Sequence, residues 1–414
     1  MGKRIVILGA GFGGLRTAMI LGREVGKDNE IVLIDKNHYH TFHALMYEAA
    51  TTSQDVANHL DLHNAVTYYI DDIIDGRHVK FIKADVSDID VTKGNINFLD
   101  HDPLRYDFLV VALGSESNFF NIPGLKKNAL EMKSFVNALK IRDTIAALFD
   151  ENRKIKIVIG GGGSTGIELS AEIENWFNEI KKAKKKFNSS ITLINSKPTV
   201  LFGYNKYAVS LVSKRLAKLG VKTLNNEIIT KVSNNSASLK SGLEVPFDVF
   251  IWTGGVMANS ILQTMKLKLG NQGRLEVSDN LACIPENPNS KIYGRVYGIG
   301  DAVCARDVSG NPTPMLVKPA LQQANVVAKN IILELRGKKP KFTFKPSKNY
   351  PYIIPVGGKY AVGCVGPLVI SGWLCWISKG LVEINYLFSI MPPKKAIKIW
   401  LNVLKIFLQN DRLG

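Results

Sequence analysis

Two glycine constellations with one spacing stand out in this chain of 414 residues. The first is Gly9-x-Gly11-x-x-Gly14, in "RIVILGAGFGGLRTAMIL"; the second is Gly161-x-Gly163-x-x-Gly166, in "IKIVIGGGGSTGIE". Each follows an apolar run that reads as a buried strand, and each opens a helical pattern. In such a turn the first glycine permits the tight bend, the second lets backbone approach a pyrophosphate, and the third lets helix and strand pack closely. The helix N-terminus adds unpaired N–H groups and a positive dipole end for the phosphates. Gly9, Ala10, Gly11, Phe12, Gly13 and Gly14 thus form one expected phosphate cradle, and Gly161, Gly163 and Gly166 mark another. A chain with two cradles is suited to two dinucleotides.

The elements that must position the first cradle are also legible. A second strand, "EIVLID", ends in Asp35, 21 residues past Gly14, where an acid accepts hydrogen bonds from an adenosine ribose; Lys36 follows it. The strand "YDFLVVALGS" ends in Ala112-Leu113-Gly114. Another, "GRVYGIGDAV", ends in Gly300-Asp301, and an Asp so placed can hold the ribityl and pyrophosphate of a flavin.

In order and spacing these motifs resemble the two-dinucleotide-domain flavoproteins, in which FAD lies on a first Rossmann unit and NAD(P)H on an inserted second one. The resemblance implies an α/β fold with two Rossmann-like dinucleotide-binding domains and a C-terminal amphipathic membrane-association region. The FAD domain is then discontinuous, at 1–120 and 245–335, the NAD(P)H domain spans 121–244, and the C-terminal region spans 336–414.

A closer likeness lies in "GGSTGIELSAEI", "IWTGGVMANS" and "NHYHTFHALMYEAATTS". These resemble type II NADH dehydrogenases, single-subunit flavoenzymes that pass electrons from NADH to a membrane quinone without pumping protons. The likeness covers most of the chain, with a weaker tail. It implies a hydride passing from nicotinamide to FAD and two electrons then reaching quinone. By the same likeness Thr165, Glu168 and Glu172 lie near the nicotinamide; the alternative for the two glutamates is a solvated helix face or a cap. Val86 joins the FAD contacts. The family carries a pair of glutamines facing the quinone. Gln322 fits the second, while Lys318 takes the place of the first. Glu172, Lys318 and Gln322 are therefore the expected flavin–quinone edge, and Lys379 is expected to reach the flavin from the tail. One strand end departs. "ITLINSKPTV" closes on Asn195-Ser196-Lys197, where NADH users carry an acid, so both NADH and NADPH stay open as donors.

Composition bounds the rest. A hydrophobic content of 46% with 35 glycines suits a globular α/β protein and is too rich for disorder. The +17 charge favours anionic partners. With no helix-turn-helix, RNA-binding aromatic pair or zinc finger, nucleic acid is not expected as a partner. Cys283, Cys304, Cys364 and Cys375 show no C-x-x-C spacing, so no metal site or redox disulfide is indicated; buried thiols in a reducing compartment are expected.

No apolar run reaches the roughly 20 residues of a membrane span. Between Val369 and Gln409, however, Glu383 is the single acid. Beyond the break at Pro392-Pro393, Ile397, Trp400, Leu401, Leu404 and Leu408 fall on one helical face, with Lys394, Lys395, Lys398 and Lys405 beside it. Such a helix reads as interfacial, its apolar face in the acyl boundary and its lysines at the headgroups. The alternative is a dimer interface or packing on the core. The expected place is peripheral, on the cytoplasmic face of the cell membrane, and a homodimer through the tail is compatible. The run "KKAKKK", 181–186, reads as a solvated helix end. Competing functions are a sulfide:quinone reductase, which needs a cysteine pair this chain lacks, a reductase for a soluble carrier, and a nucleotide-binding membrane sensor without turnover.

Overall fold

A computed structural model describes residues 2–53, 62–151, 153–183, 187–347 and 349–409. The chain divides into two units. Residues 1–40, 68–116 and 256–349 make the first, and 41–67, 117–255 and 350–414 make the second.

In the first unit Ile5, Val6, Ile7 and Leu8 are all fully buried, as a strand covered on both faces demands. Strand Arg4–Leu8 is the centre of a parallel sheet. Phe108–Val111 and then Arg295–Gly298 flank it on one side, Glu30–Asp35 and then Lys80–Lys83 on the other. Between Lys80–Lys83 and Phe108–Val111 the chain makes an antiparallel meander of Val86–Asp90, Asn95–Phe98 and Leu104–Arg105. Helix Phe12–Glu24 follows the central strand and packs along helix Val317–Leu335. Gly13 sits at that contact; a Cβ there would lie 3.5 Å from the Ala320 carbonyl oxygen.

The second unit repeats this plan strand for strand. Ile155–Gly160 is the centre, with Val249–Trp252 and Leu130–Glu131 on one side and Ser189–Asn195 and Lys222–Asn225 on the other, all parallel. The meander recurs as Ile229–Val232, Ser236–Leu239 and Glu244–Pro246. Its strands pack Val232, Ala237 and Val245 against Phe250 and Trp252 of the parallel sheet. The α/β fold with two Rossmann-like units therefore stands, and the duplication signalled by the glycines extends through the whole unit.

The boundaries fall elsewhere than expected. Val249–Trp252 hydrogen-bonds to the second sheet's central strand, so the second unit runs to 255 rather than 244. Residues 350–414 also cluster with the second unit instead of standing apart. They open with an antiparallel sheet of Tyr352–Pro355, Ala361–Val365 and Leu368–Gly372. Buried Arg215 of helix Lys206–Leu219 holds the first turn of this sheet, donating to the carbonyls of Val356 at 3.2 Å and Gly357 at 3.1 Å. Its guanidinium also lies over the Tyr360 ring, 4.9 Å from the centroid.

Two helices follow, Trp373–Ile390 and Pro393–Gln409, separated at the expected proline pair. Proline suits the opening position because its missing N–H has no intrahelical partner there. The apolar stripe of the last helix is split, which corrects the expectation. Ile397 and Leu401 are exposed, but Trp400 is half-buried and donates its indole N–H to the Gly380 carbonyl at 2.9 Å. Ala396, Val403 and Ile406 are buried, since the helix pairs with its predecessor. The side chain of Leu408 lies outside the described residues. More apolar surface stands on helix Trp373–Ile390, where Trp373 is 62%, Leu381 60% and Val382 61% exposed. That helix turns its charges inward, with Lys379 and Glu383 buried. Among the described residues no helix is long and apolar enough to cross a membrane.

Candidate functional site

The first cradle begins where strand Arg4–Leu8 runs out. Gly9 adopts φ +98°, and a Cβ there would sit 2.3 Å from the Ala112 carbonyl oxygen, so only glycine makes this bend. A Cβ on Gly14 would lie 1.9 Å from the Gly9 carbonyl oxygen, because helix and turn touch there. Gly11 is the opposite case: a Cβ would meet no described atom within 4 Å. That open side is where a bare backbone admits phosphate. Gly11 is also the N-cap of helix Phe12–Glu24, and no side chain among the described residues caps it. The first-turn N–H groups are thereby left for an anion.

The second cradle reproduces each feature. Gly161 has φ +121°, and a Cβ there would clash with Thr253 and Gly254 backbone at 2.6 Å. On Gly166 it would lie 2.0 Å from the Gly161 carbonyl oxygen, and on Gly163 it would meet no described atom within 4 Å. Thr253 stands where Ala112 stands in the first unit; its N–H bonds the Gly160 carbonyl at 2.8 Å, as that of Ala112 bonds Leu8 at 2.8 Å. Its hydroxyl adds bonds to the Gly160 and Gly161 carbonyls at 3.1 and 3.2 Å. Thr165 is exposed in the first helical turn beside Gly163 and Gly166.

The remaining first-unit candidates gather at the C-terminal ends of the parallel strands, where open α/β sheets bind ligands. Asp35 accepts the Ala10 N–H at 2.7 Å and the Asn37 N–H at 2.8 Å. Burial pushes its carboxyl above the ordinary range, outweighing those two donors. Lys36 is exposed beside it, and Val86 opens the meander just after the edge strand. Gly114 and Gly300 both adopt left-handed backbone, at φ +68° and +70°. Asp301 receives the Ser115 hydroxyl at 2.7 Å, which fixes one of its oxygens. Lys318 is exposed in the first turn of helix Val317–Leu335. Gln322, one turn on, keeps its Oε1 buried with no hydrogen-bond partner among the described residues. An orphaned acceptor of that kind normally meets a donor, so the residues of this unit fit a bound dinucleotide.

Glu168 and Glu172 belong to helix Ser164–Ala183, and neither lies on a solvated face. Glu172 is buried, and its Oε1 accepts the Gly358 N–H at 3.1 Å. Glu168 is half-buried by surface area, yet crowding by packed atoms raises its carboxyl to about 8; Lys379 opposes that shift and Glu172 adds to it. Lys379 pairs with Glu383 one turn along its helix, and its ammonium lies 5.5 Å from the Tyr47 ring centroid. Tyr47 is buried, its hydroxyl without a hydrogen-bond partner among the described residues, and desolvation followed by Glu48 and Glu172 holds its phenol well above the ordinary range. The second unit thus joins Glu168, Glu172, Tyr47, Lys379 and Glu383 in one buried charged group.

Several positioning residues escaped the sequence reading. His40 accepts no proton from Ala10; its Nδ1 must donate, since the carbonyl 2.9 Å away only accepts. It also meets Phe12 edge-on at 4.9 Å, pinning the cradle's second residue. Gln323 is buried and accepts the Gly300 N–H at 2.6 Å. The doubled glutamine at 322–323 was the signal for it. Ser115 and Arg215 carried none, because their partners lie far along the chain.

Two copies of a strand–glycine turn–helix cradle, each in its own sheet with its own meander, define a two-dinucleotide oxidoreductase. The chain belongs to the pyridine nucleotide-disulphide oxidoreductase family, which it matches over residues 3–324. It is 26% identical over 383 residues to the type II NADH:quinone oxidoreductase of Haemophilus influenzae, covering 84% of this chain and 83% of that one. With the enzyme of that name from Mycobacterium tuberculosis it shares 27% over 424 residues, covering 96% and 87%. Its fold matches NDH2 of Plasmodium falciparum, solved in complex with NADH, with a TM-score of 0.83 at 18% identity, covering 100% and 99%. The resemblance drawn from the motifs is borne out by these relatives.

Proposed function

We propose that this protein is an FAD-dependent NADH:quinone oxidoreductase. The carrying observation is the doubled cradle, each copy with its bend glycine, its open glycine and its contact glycine. The names of its relatives support the assignment of donor and acceptor. FAD supplies the chemistry that turns a two-electron hydride donor into a reductant for quinone. The chain's own residues bind and orient. Gly9 to Gly14 and the uncapped helix hold the FAD pyrophosphate, Asp35 takes the adenosine ribose, and Asp301 takes the ribityl chain. Gly161, Gly163, Thr165 and Gly166 hold the nucleotide pyrophosphate. Lys318 and Gln322 are assigned to the flavin–quinone edge, with Lys318 placing a positive charge where a reduced ring is stabilised. Glu168, its carboxyl raised to about 8 by desolvation, is assigned to proton handling on the nucleotide side, with Glu172 and Lys379 beside it.

The acceptor side is a bilayer surface. Trp373, Leu374, Ile377 and Leu381 form an exposed apolar row on one helix, continued by Ile397 and Leu401 on the next and bordered by Lys394 and Lys398. A patch of this kind marks an interaction surface, and aromatic, aliphatic and lysine residues together suit a headgroup boundary. The attachment is peripheral, on the cytoplasmic face, and the reaction runs without proton translocation; a homodimer through the tail is the alternative use of the patch. Sulfide oxidation gains no support, as all four cysteines are free and buried.

The test is an anaerobic absorbance spectrum of the purified protein before and after NADH, followed by a quinone analogue. The flavin band is expected to bleach with NADH and return with quinone. A bound flavin that NADH leaves oxidised would overturn the reading.

A further inference from the structure

We infer that the second cradle accepts a nucleotide carrying a 2′-phosphate, so that NADPH serves alongside NADH. The inference rests on the reading of that cradle as the nucleotide site and concerns the residue that meets the adenosine 2′ position. In the first unit Leu8 pairs with Ile34, and the Gly9 N–H bonds the Ile34 carbonyl at 2.7 Å. In the second, Gly160 pairs with Ile194, and the Gly161 N–H bonds the Ile194 carbonyl at 2.8 Å. The next residues, Asp35 and Asn195, are therefore equivalent by register, and each ends its strand.

Their surroundings differ in what else they offer. Asp35 faces two backbone donors, Ala10 and Asn37. Asn195 likewise accepts a backbone N–H, that of Lys197 at 3.4 Å, but its Nδ2 also donates to the Lys197 carbonyl at 3.0 Å and to Asn225 Oδ1 at 2.9 Å. A backbone carbonyl can only accept, which fixes which way this amide points. A carboxylate at 195 would set an oxygen against the Lys197 carbonyl, so this turn suits an amide. Asn195 is buried, and a Cβ on Gly162 would reach to within 2.6 Å of its Cγ, so glycine there makes room for it.

An acid at this place bonds the 2′-hydroxyl and repels a 2′-phosphate; the amide does neither strongly. Nearby charge favours the phosphate. No acid occurs from 195 to 205, and Lys197 is exposed with its ammonium 5.7 Å from the Phe202 ring centroid. Glu227, whose N–H bonds the Asn195 carbonyl at 3.1 Å, gives its carboxylate to the Ser241 hydroxyl at 2.9 Å.

The experiment is calorimetric titration of the flavin-loaded protein with ADP-ribose and with its 2′-phosphate, neither of which can reduce the flavin. The expected dissociation constants agree within roughly tenfold. A larger preference for ADP-ribose overturns this inference and leaves the proposed function standing. Failure of both ligands to bind overturns both. Asn195→Asp is expected to shift the ratio roughly tenfold toward the unphosphorylated ligand, the scale of one charged hydrogen bond. Lys197→Ala, at the surface, is expected to weaken the phosphorylated ligand about fivefold more than the other. A ratio unmoved in both variants would overturn the assignment to this strand end.

Discussion

Gly9 and Gly161 occupy one position in two copies of the same sheet, yet the side chains that end the next strands, Asp35 and Asn195, differ in charge and in partners. The bend, the open glycine and the helix contact agree to within a few tenths of an ångström between copies. Asp35 accepts the N–H groups of Ala10 and Asn37, whereas Asn195 accepts the N–H of Lys197 and also donates to the Lys197 carbonyl and the Asn225 side chain. The shared part is what any pyrophosphate requires of a backbone. The divergent part is assigned to the ribose end, so on that assignment each copy can tune its ligand without disturbing the cradle. The copies also differ at their outer edge. The first unit closes with Gly300-Asp301, secured by Ser115 and Gln323. The second encloses a buried charged group around Glu168.

The largest effect that would sharpen this comparison is steric. Gly14→Ala and Gly166→Ala each drive a methyl to about 2 Å from a backbone oxygen that cannot turn away. Gly14→Ala should purify with little flavin. Gly166→Ala should keep its flavin while kcat/KM for NADH falls roughly a hundredfold, as for a misplaced reactant. Flavin stoichiometry by absorbance and steady-state rates read both outcomes; a Gly14→Ala protein with full flavin would break the assignment of ligands to cradles.

Asp35→Asn comes next. The new amide would turn an N–H group toward the donors of Ala10 or Asn37, and FAD affinity should drop roughly tenfold to a hundredfold. Flavin release measured by fluorescence checks it, and an unchanged affinity would show that the acid matters only to the empty turn. A smaller loss is expected from Gln323→Leu, which removes the acceptor of the half-buried Gly300 N–H at about 1 kcal/mol. Urea unfolding would register it.

The smallest effect separates the second unit from the first. With its carboxyl raised to about 8 from an ordinary 4.5, Glu168 holds a proton in the folded protein that the unfolded chain has already released. Its contribution is therefore complete below about 4.5 and is lost as pH rises through about 8. Glu168→Gln should flatten the fall in Tm across that window. Identical slopes in the two proteins would mean that this carboxyl is solvated.

Much of the fold was legible because it is written locally. A run such as Ile5 to Leu8, apolar at every position, declares a strand covered on both faces, and glycines at fixed offsets declare the turn after it. The alternation in tail helix 393–409 was equally legible but incomplete. Period alone gives an apolar face without saying what covers it, and Trp400 turned out to be committed to Gly380. Glu168 and Glu172 share a face by spacing, but nothing in a polar helix sequence says that this face is buried.

What the sequence determined by itself was the pair of cradles, since a turn's geometry depends on residues within a few positions of each other. Tertiary structure alone decided how the candidates are used. Glu172 meets Gly358 across 186 residues of chain, and Ser115 meets Asp301 across the same separation. Lys379 became an interior charge because Glu383 and Tyr47 surround it. The equivalence of Asp35 and Asn195 likewise needed two sheets to register their strands, a property of hydrogen-bonded neighbours that no single stretch of sequence contains.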